Sequence, residues 1–379
     1  MARIGNRWAW IGALGLSLIL GCTSSAPAGG GTAATRPPAT TAPQAAGAAP
    51  ATTAPAASAE ARAPLKLKVG QVPGTPSSGI YLAMARGYFA EEGLEVETEP
   101  FDAGERTIPA LATGQIEISA SGLSAGLYGA IARGADLKVV AGMTSNEPGY
   151  SSSAAVVRKD LADAGAIREV PDLRGRTAGL IAPSTSFAID AGRALRGAGM
   201  SDDDVNWTIL SFPDQVSALA NGAIDVAFIT EPFVARAVQT GVGVRWKGMD
   251  EFFPYHQLTV VMYNPDFVRE HPDAARRWLV AYLRGARDFA DAFRHGRDKA
   301  GVIRVLIEHT PIKDPALYEV MVPSGIDPDG GLNQESMEYD QDWYLARGFI
   351  REKIDLGRVV DLSYRDAALQ QLGRYQPRP

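Results

Sequence analysis

From Leu65 onwards, short alternating apolar segments are interleaved with segments of helical period, and this alternation constrains the fold more than any other feature of the chain. Leu65-Lys66-Leu67-Lys68-Val69 alternates apolar and polar residues and predicts a strand. Ser77 and Ser78 are suited to cap the next segment, in which Ile80, Tyr81, Met84, Ala85, Tyr88 and Phe89 recur at helical spacing. Gly93 ends that helix, and Leu94 to Glu97 alternates again. Ile116-Glu117-Ile118, a helix around Leu123 to Arg133 and Leu137 to Val140 continue the series. A second block opens near Asp172. Its expected strands are 177–181, 205–210 and 224–229, and its helices include 185–197, 217–222 and 232–240. Strands separated by helices imply βαβ units with right-handed crossovers and a mostly parallel sheet, an α/β fold. Beyond about Leu258 the pattern is mainly helical, with Pro272 at a helix start and apolar spacing kept to about Phe293; the last helix is expected at 367–372.

Both blocks carry one phrase, Ala-Leu-Ala-x-Gly followed by a short strand. The first copy is Ala110 to Gly114 and the second Ala218 to Gly222. Two explanations stand at this stage: common helix–glycine–strand punctuation, or two similar lobes facing each other.

The rest of the chain narrows the function classes. With 37 basic against 43 acidic residues and a net charge of −6, it lacks the basic footprint of a nucleic-acid binder. A single cysteine excludes an internal disulfide framework, multi-thiolate zinc sites and four-cysteine iron–sulfur clusters. The four histidines form no HExxH motif, which excludes a helix-borne metal site of that kind; no metal ligand and no cofactor are expected. Arg3 and Arg7 precede a largely apolar run from Trp8 to Leu20, too short to span a bilayer comfortably, which reads as a secretory signal. Its end, Leu18-Ile19-Leu20-Gly21-Cys22, resembles the lipobox of bacterial lipoproteins. That resemblance implies a signal peptide over 1–21 and a lipid on Cys22. Of residues 23–64, 38 of 42 are Ala, Pro, Thr, Gly or Ser and none is a large aliphatic, so 22–64 is expected to be a disordered tether. The expected location is the extracytoplasmic (periplasmic) face of a membrane, held there by the lipid anchor.

The order of several phrases then resembles a family. These are Tyr81-Leu-Ala-Met-Ala-Arg-Gly87-Tyr88-Phe89-Ala-Glu-Glu-Gly93-Leu94, Gly134-Ala-Asp136-Leu-Lys138, Asp172-Leu-Arg-Gly175-Arg-Thr-Ala-Gly179 and Gly325-Ile-Asp327-Pro-Asp-Gly330-Gly-Leu-Asn333. Together they resemble the substrate-binding proteins of ABC importers, in the nitrate, sulfonate and thiamine-precursor group, over about 65–375. The resemblance implies a bilobal periplasmic-binding-protein fold of type II. Lobe 1 would combine 65–155 with 258–379, and lobe 2 would be 156–257. Ala154 to Arg158 and Gln257 to Asn264 would be the crossing segments of the hinge. Implied partners are a small-molecule ligand, a permease and its ATPase; the protein is expected to act as a monomer.

In such a fold the ligand lies at the carboxyl ends of parallel strands, where helix starts point inward. The candidate contacts there are Ser77, Ser78, Ser121, Gly122, Ser184, Thr185, Ser186 and Phe187, with Glu231 and Tyr255. Hydroxyl-rich helix starts outnumber acids in this set, which favours a small organic carboxylate or sulfonate. A thiamine-type pyrimidine, met by Glu231, and a ligand-sensing partner of a membrane receptor stay open. Gly122-Leu123-Ser124-Ala125-Gly126 also matches the G-x-S-x-G elbow of hydrolases. No HGGG-like segment precedes it, so no catalytic residue is expected.

Overall fold

The computed structural model describes residues 64–377, all within one compact unit, Ala59–Pro379. The expected signal peptide, Cys22 and all of the tether except Pro64 lie outside the described residues. Eleven strands follow in chain order: β1 Leu65–Gln71, β2 Leu94–Pro100, β3 Ile118–Gly122, β4 Lys138–Ser145, β5 Ser153–Arg158, β6 Thr177–Leu180, β7 Asn206–Ile209, β8 Val226–Thr230, β9 Gly243–Gly248, β10 Gln257–Tyr263 and β11 Gly325–Ile326.

They form two sheets, ordered β11-β4-β10-β3-β1-β2 and β7-β6-β8-β5-β9. In the first, β1 is parallel to β2 and β3, while β10 runs antiparallel to β3 and β4. In the second, β6 is parallel to β7 and β8, while β5 runs antiparallel to β8 and β9. Apart from β11, each sheet therefore has the same plan: second, first and third strands, a reversed strand that has just crossed from the other sheet, then the fourth. The sheets are mixed, where the strand–helix alternation alone implied mostly parallel ones.

The repeated phrase sits at the same place in both plans. The helices Thr107–Ala112 and Phe212–Ala220 lead into the third strands β3 and β8. Each closes the same way. Gly114 and Gly222 take positive φ of 71° and 76°, a conformation that favours glycine. Their amides bond to the carbonyls of Leu111 and Leu219, and the next two amides bond to the carbonyls of Ala110 and Ala218. Beyond the turn, Glu117 accepts from the Lys68 amide at 2.7 Å and Asp225 from the Thr177 amide at 3.0 Å, each tying the third strand to the first. The phrase thus marks a structural repeat.

The segments expected as hinge crossings, Ala154 to Arg158 and Gln257 to Asn264, instead supply β5 and β10 inside the sheets. The chain crosses just ahead of each, at 146–152 and 253–256. The helix expected over residues 80–89 is also broken. It ends as Ser78–Ala85, Gly87 turns with φ 74°, and Tyr88–Glu91 restarts.

Ser78–Ala85 packs on the 24-residue helix Pro272–His295, where Gly79 and Gly285 let the backbones approach closely. Trp278, Tyr282 and Tyr81 are buried around that contact. A second apolar cluster runs from Ile108, Leu123 and Tyr128 to Leu180, Ile189 and Phe228, and includes Met337, Trp343 and Tyr344. The last three belong to the helix Gln334–Ala346, which packs on both Ala125–Ala132 and Ser186–Gly197 and so braces the two sheets against each other.

Candidate functional site: the cleft between the sheets

The turns that follow the parallel strands converge on a cleft of about 290 Å³. From the first sheet it is lined by Pro76, Gly104, Glu105, Gly122, Leu123, Ser124, Thr144, Ser145, Leu258, Thr259, Ser324 and Gly325. The crossing segment and the start of β5 contribute Asn146, Ser152 and Ser153; the second sheet contributes Ile181, Thr185, Ser186, Phe187, Asp190 and Thr230. The lining holds no lysine, arginine or histidine. Its only charged side chains are Glu105 and Asp190.

Two helix starts reach this cleft, and they differ. Ser124 caps its own helix, its Oγ accepting from the Leu127 amide at 3.3 Å. Thr185 does not cap Ser186–Gly197: its hydroxyl donates to the Ala182 carbonyl at 2.9 Å. The first bonds back to this turn come from the Ala188 and Ile189 amides, both to the Thr185 carbonyl. The Ser186 and Phe187 amides precede them and are left to the cleft, at the positive end of the helix.

Of the candidates named from sequence, Gly122, Thr185, Ser186 and Phe187 line the cleft, and Ser184 precedes them in the same turn. The others lie elsewhere. Ser77 and Ser78 are buried, their hydroxyls donating to the Val72 and Thr75 carbonyls. Ser121 is buried in a hydroxyl cluster with Thr107 and Ser119. Glu231 is buried and does not line the cleft. One carboxylate oxygen accepts from the Ala235 amide at 2.9 Å, the other from the Val322 amide, across from the first sheet, at 3.2 Å. Burial pushes its carboxyl above the ordinary range. Tyr255 is 55% exposed on the return crossing, with φ 56°, and does not line the cleft.

Residues the sequence did not single out complete the site. Ser324 bridges Thr75 at 3.0 Å and Ser152 at 3.2 Å, a hydroxyl chain between the sheets. Behind the cleft wall lies a buried charged triad. His256, with no exposed surface, contacts Asp190 through Nδ1 at 2.6 Å and Asp340 through Nε2 at 2.8 Å. Asn146 donates to the other oxygen of Asp190 at 2.9 Å. Phe253 stacks on the imidazole at 4.4 Å, and the Arg193 guanidinium lies over the Phe253 ring at 4.1 Å. Burial alone would push the imidazole pKa down, but Asp340 and Asp190 together outweigh it and raise it to about 10. The triad joins the return crossing, the helix Ser186–Gly197 and the bracing helix Gln334–Ala346.

Ser124 lacks the partners of a nucleophile. No histidine lines the cleft, and both ring nitrogens of His256 are held by carboxylates. Among the described residues no group of His, Cys, Asp and Glu could hold a metal ion, and no helix is long and apolar enough to cross a membrane.

Two sheets of one plan, joined by two crossings and enclosing a cleft at their strand ends, define the bilobal fold of periplasmic binding proteins. The family follows from the sequence itself. Residues 75–292 match the family model described as NMT1/THI5 like, and the chain belongs to that family. It is 28% identical over 213 residues to a putative binding protein of Brucella abortus (strain 2308), covering 56% of this chain and 62% of the relative. It is 31% identical over 190 residues to a putative aliphatic sulfonates-binding protein of Escherichia coli (strain K12), covering 49% of this chain and 56% of the relative. The chain thus spans less than two thirds of the length of these curated relatives. The crystal structure of the periplasmic aliphatic sulphonate binding protein of Escherichia coli superposes with a TM-score of 0.64 at 21% identity, over 79% of this chain and 92% of that one. The same fold also carries enzymes: a desulfurization enzyme superposes with a TM-score of 0.58 at 14% identity, over 81% and 99% of the two chains.

Proposed function

We propose that this chain is the extracytoplasmic substrate-binding protein of an ABC importer. It would capture a small organic anion, a carboxylate or sulfonate, in the cleft and deliver it to a membrane permease and its ATPase, while a lipid on Cys22 holds it at the membrane. The observation that carries the ligand class is the uncapped helix start at Thr185 to Phe187. It turns free amides and the positive helix end into a cleft whose lining holds no lysine, arginine or histidine. The name of the Escherichia coli relative agrees with a sulfonate. The cleft is read as one for binding, since Ser124 caps its own helix and no histidine lines the cleft beside it.

The test is a thermal-shift screen of short sulfonates, carboxylates and neutral pyrimidines, followed by calorimetry on the hits. A ligand at a hundredfold excess over Kd stabilises the native state by about 2.7 kcal/mol. Thr185→Asp should then weaken an anionic hit by at least tenfold, because it sets a like charge at the helix start inside the cleft. An anionic hit indifferent to Thr185→Asp would put the anion elsewhere and refute this assignment.

A further inference from the structure

We propose that the ligand of this cleft carries a hydrogen-bond donor, an ammonium or amino group, received by the carboxylate of Asp190. This rests on the cleft being the ligand site and goes beyond the anion reading by naming the second group that the ligand presents.

Asp190 lies four residues after Ser186 on one helix, so both face the same side, about 6 Å apart along the axis. It lines the cleft although only 2% of its surface is exposed. One oxygen accepts from His256 and the other from Asn146. An ionised carboxylate offers about four acceptor positions, so acceptor capacity remains. The group cannot swing away, because it is held from behind. His256 is pinned on its far side by Asp340, and Asn146 accepts from the Ser151 hydroxyl at 3.2 Å.

Charge points the same way. The imidazolium of His256 is shared between two carboxylates, which leaves the triad one net negative charge. No lysine, arginine or histidine lines the cleft to offset it. A bare oxyanion filling the cleft would lie beside that charge with no counter-ion, whereas a donor on the ligand removes the conflict. The two ends of the site then divide the work. The Ser186 and Phe187 amides take the anionic end, and Asp190 takes the donor about one helical turn away. That spacing suits an acid and an amine separated by two or three carbons.

Calorimetry on the full chain with three probes tests this: 3-aminopropanesulfonate, propanesulfonate and 4-aminopyrimidine, each against the unsubstituted protein and Asp190→Asn. Asparagine keeps the His256–Asp340 pair and leaves the triad neutral, which favours a folded variant. The comparison of probes on the unsubstituted protein needs no variant at all. A hydrogen bond to a charged group is lost at a cost of about tenfold to a hundredfold in affinity. The aminated sulfonate should therefore bind at least tenfold tighter than the plain one, and Asp190→Asn should erase that difference. Equal binding of the two sulfonates, unaffected by Asp190→Asn, overturns the proposal and leaves the anion reading intact. Binding of the aminopyrimidine alone, lost in Asp190→Asn, upholds the donor and overturns the anion reading. Binding of propanesulfonate without binding of its aminated analogue also overturns the proposal and leaves the anion reading intact.

Discussion

The buried triad makes the stability of the folded body depend on pH in a calculable way. His256 is held at a pKa of about 10 in the native state, against about 6.5 in an unfolded chain. A group whose pKa is raised on folding stabilises the native state fully below its unfolded pKa, and that contribution is lost as pH rises through the folded one. For His256 alone the contribution is about 4 kcal/mol at pH 7 and about 1.5 kcal/mol at pH 9, a loss of about 2.5 kcal/mol over two pH units. The triad as a whole is worth less than the His256 figure, because burial pushes the Asp340 carboxyl up more than His256 pulls it down. The informative quantity is therefore the slope with pH. Removing His256 alone would strand two buried carboxylates, so the reference is the triple variant His256→Gln, Asp190→Asn, Asp340→Asn, which deletes every charge of the triad. Urea midpoints at pH 7 and pH 9 should show the unsubstituted protein losing about 2.5 kcal/mol more than the triple variant, to within a factor of about two. Parallel losses in the two proteins would mean that the native imidazole is uncharged at pH 7, and the electrostatic account of the triad would fail.

Glu231→Ala removes the acceptor of both the Ala235 and the Val322 amides; it should lower stability by about 1–3 kcal/mol and speed hydrogen exchange at Val322, with Glu231→Gln intermediate. Unchanged exchange at Val322 would show that the bond between the sheets does not form in solution. Gly285→Ala puts a methyl group onto the Gly79 carbonyl oxygen at the crossing of two helices; chemical denaturation should show a loss of at least about 1–3 kcal/mol, and a neutral result would mean that the helices can separate at little cost. Cys22→Ser should release the mature protein from the membrane fraction or leave an unprocessed precursor, and unchanged membrane association with normal processing would refute lipidation.

The strand–helix order was legible because one-sided strands and amphipathic helices write their periods into the sequence. Four strands escaped, β5, β9, β10 and β11, and two of them, β5 and β10, have no period. β5 contains Ala154-Ala155-Val156-Val157 and β10 contains Val260-Val261-Met262, buried on both faces between neighbouring strands, so neither alternates. They read as connections because they lie between the blocks, when in fact each is the reversed strand that completes the sheet it enters. The candidate site was legible only as far as Gly122 and one turn, Ser184 to Phe187. Ser77, Ser78 and Ser121 have the right residue type at strand ends, but a serine hydroxyl is satisfied by the nearest acceptor, and theirs lie within the protein. The triad had no local signal. Asp190, His256 and Asp340 are 66 and 84 residues apart along the chain, and only the packing of three elements makes them neighbours.

The two lobes show why residue type at equivalent positions was not enough. The helix after the first strand begins at Ser78 in one lobe and at Ser186 in the other. Both starts turn a hydroxyl back onto the carbonyl three residues earlier, Ser78 onto Thr75 and Thr185 onto Ala182. In sequence they are two serine- and threonine-rich helix starts of equal promise. In the first lobe, however, the long helix Pro272–His295 lies against Gly79, and Ser78 is left with no exposed surface. That helix belongs to the C-terminal part of the chain. The start at Thr185 stays half-buried and open to the cleft, with its first amides unpaired. What separates the cleft-facing turn from the buried one is thus a helix packed about two hundred residues further along the chain, so a candidate site inferred from local chemistry alone was bound to include both.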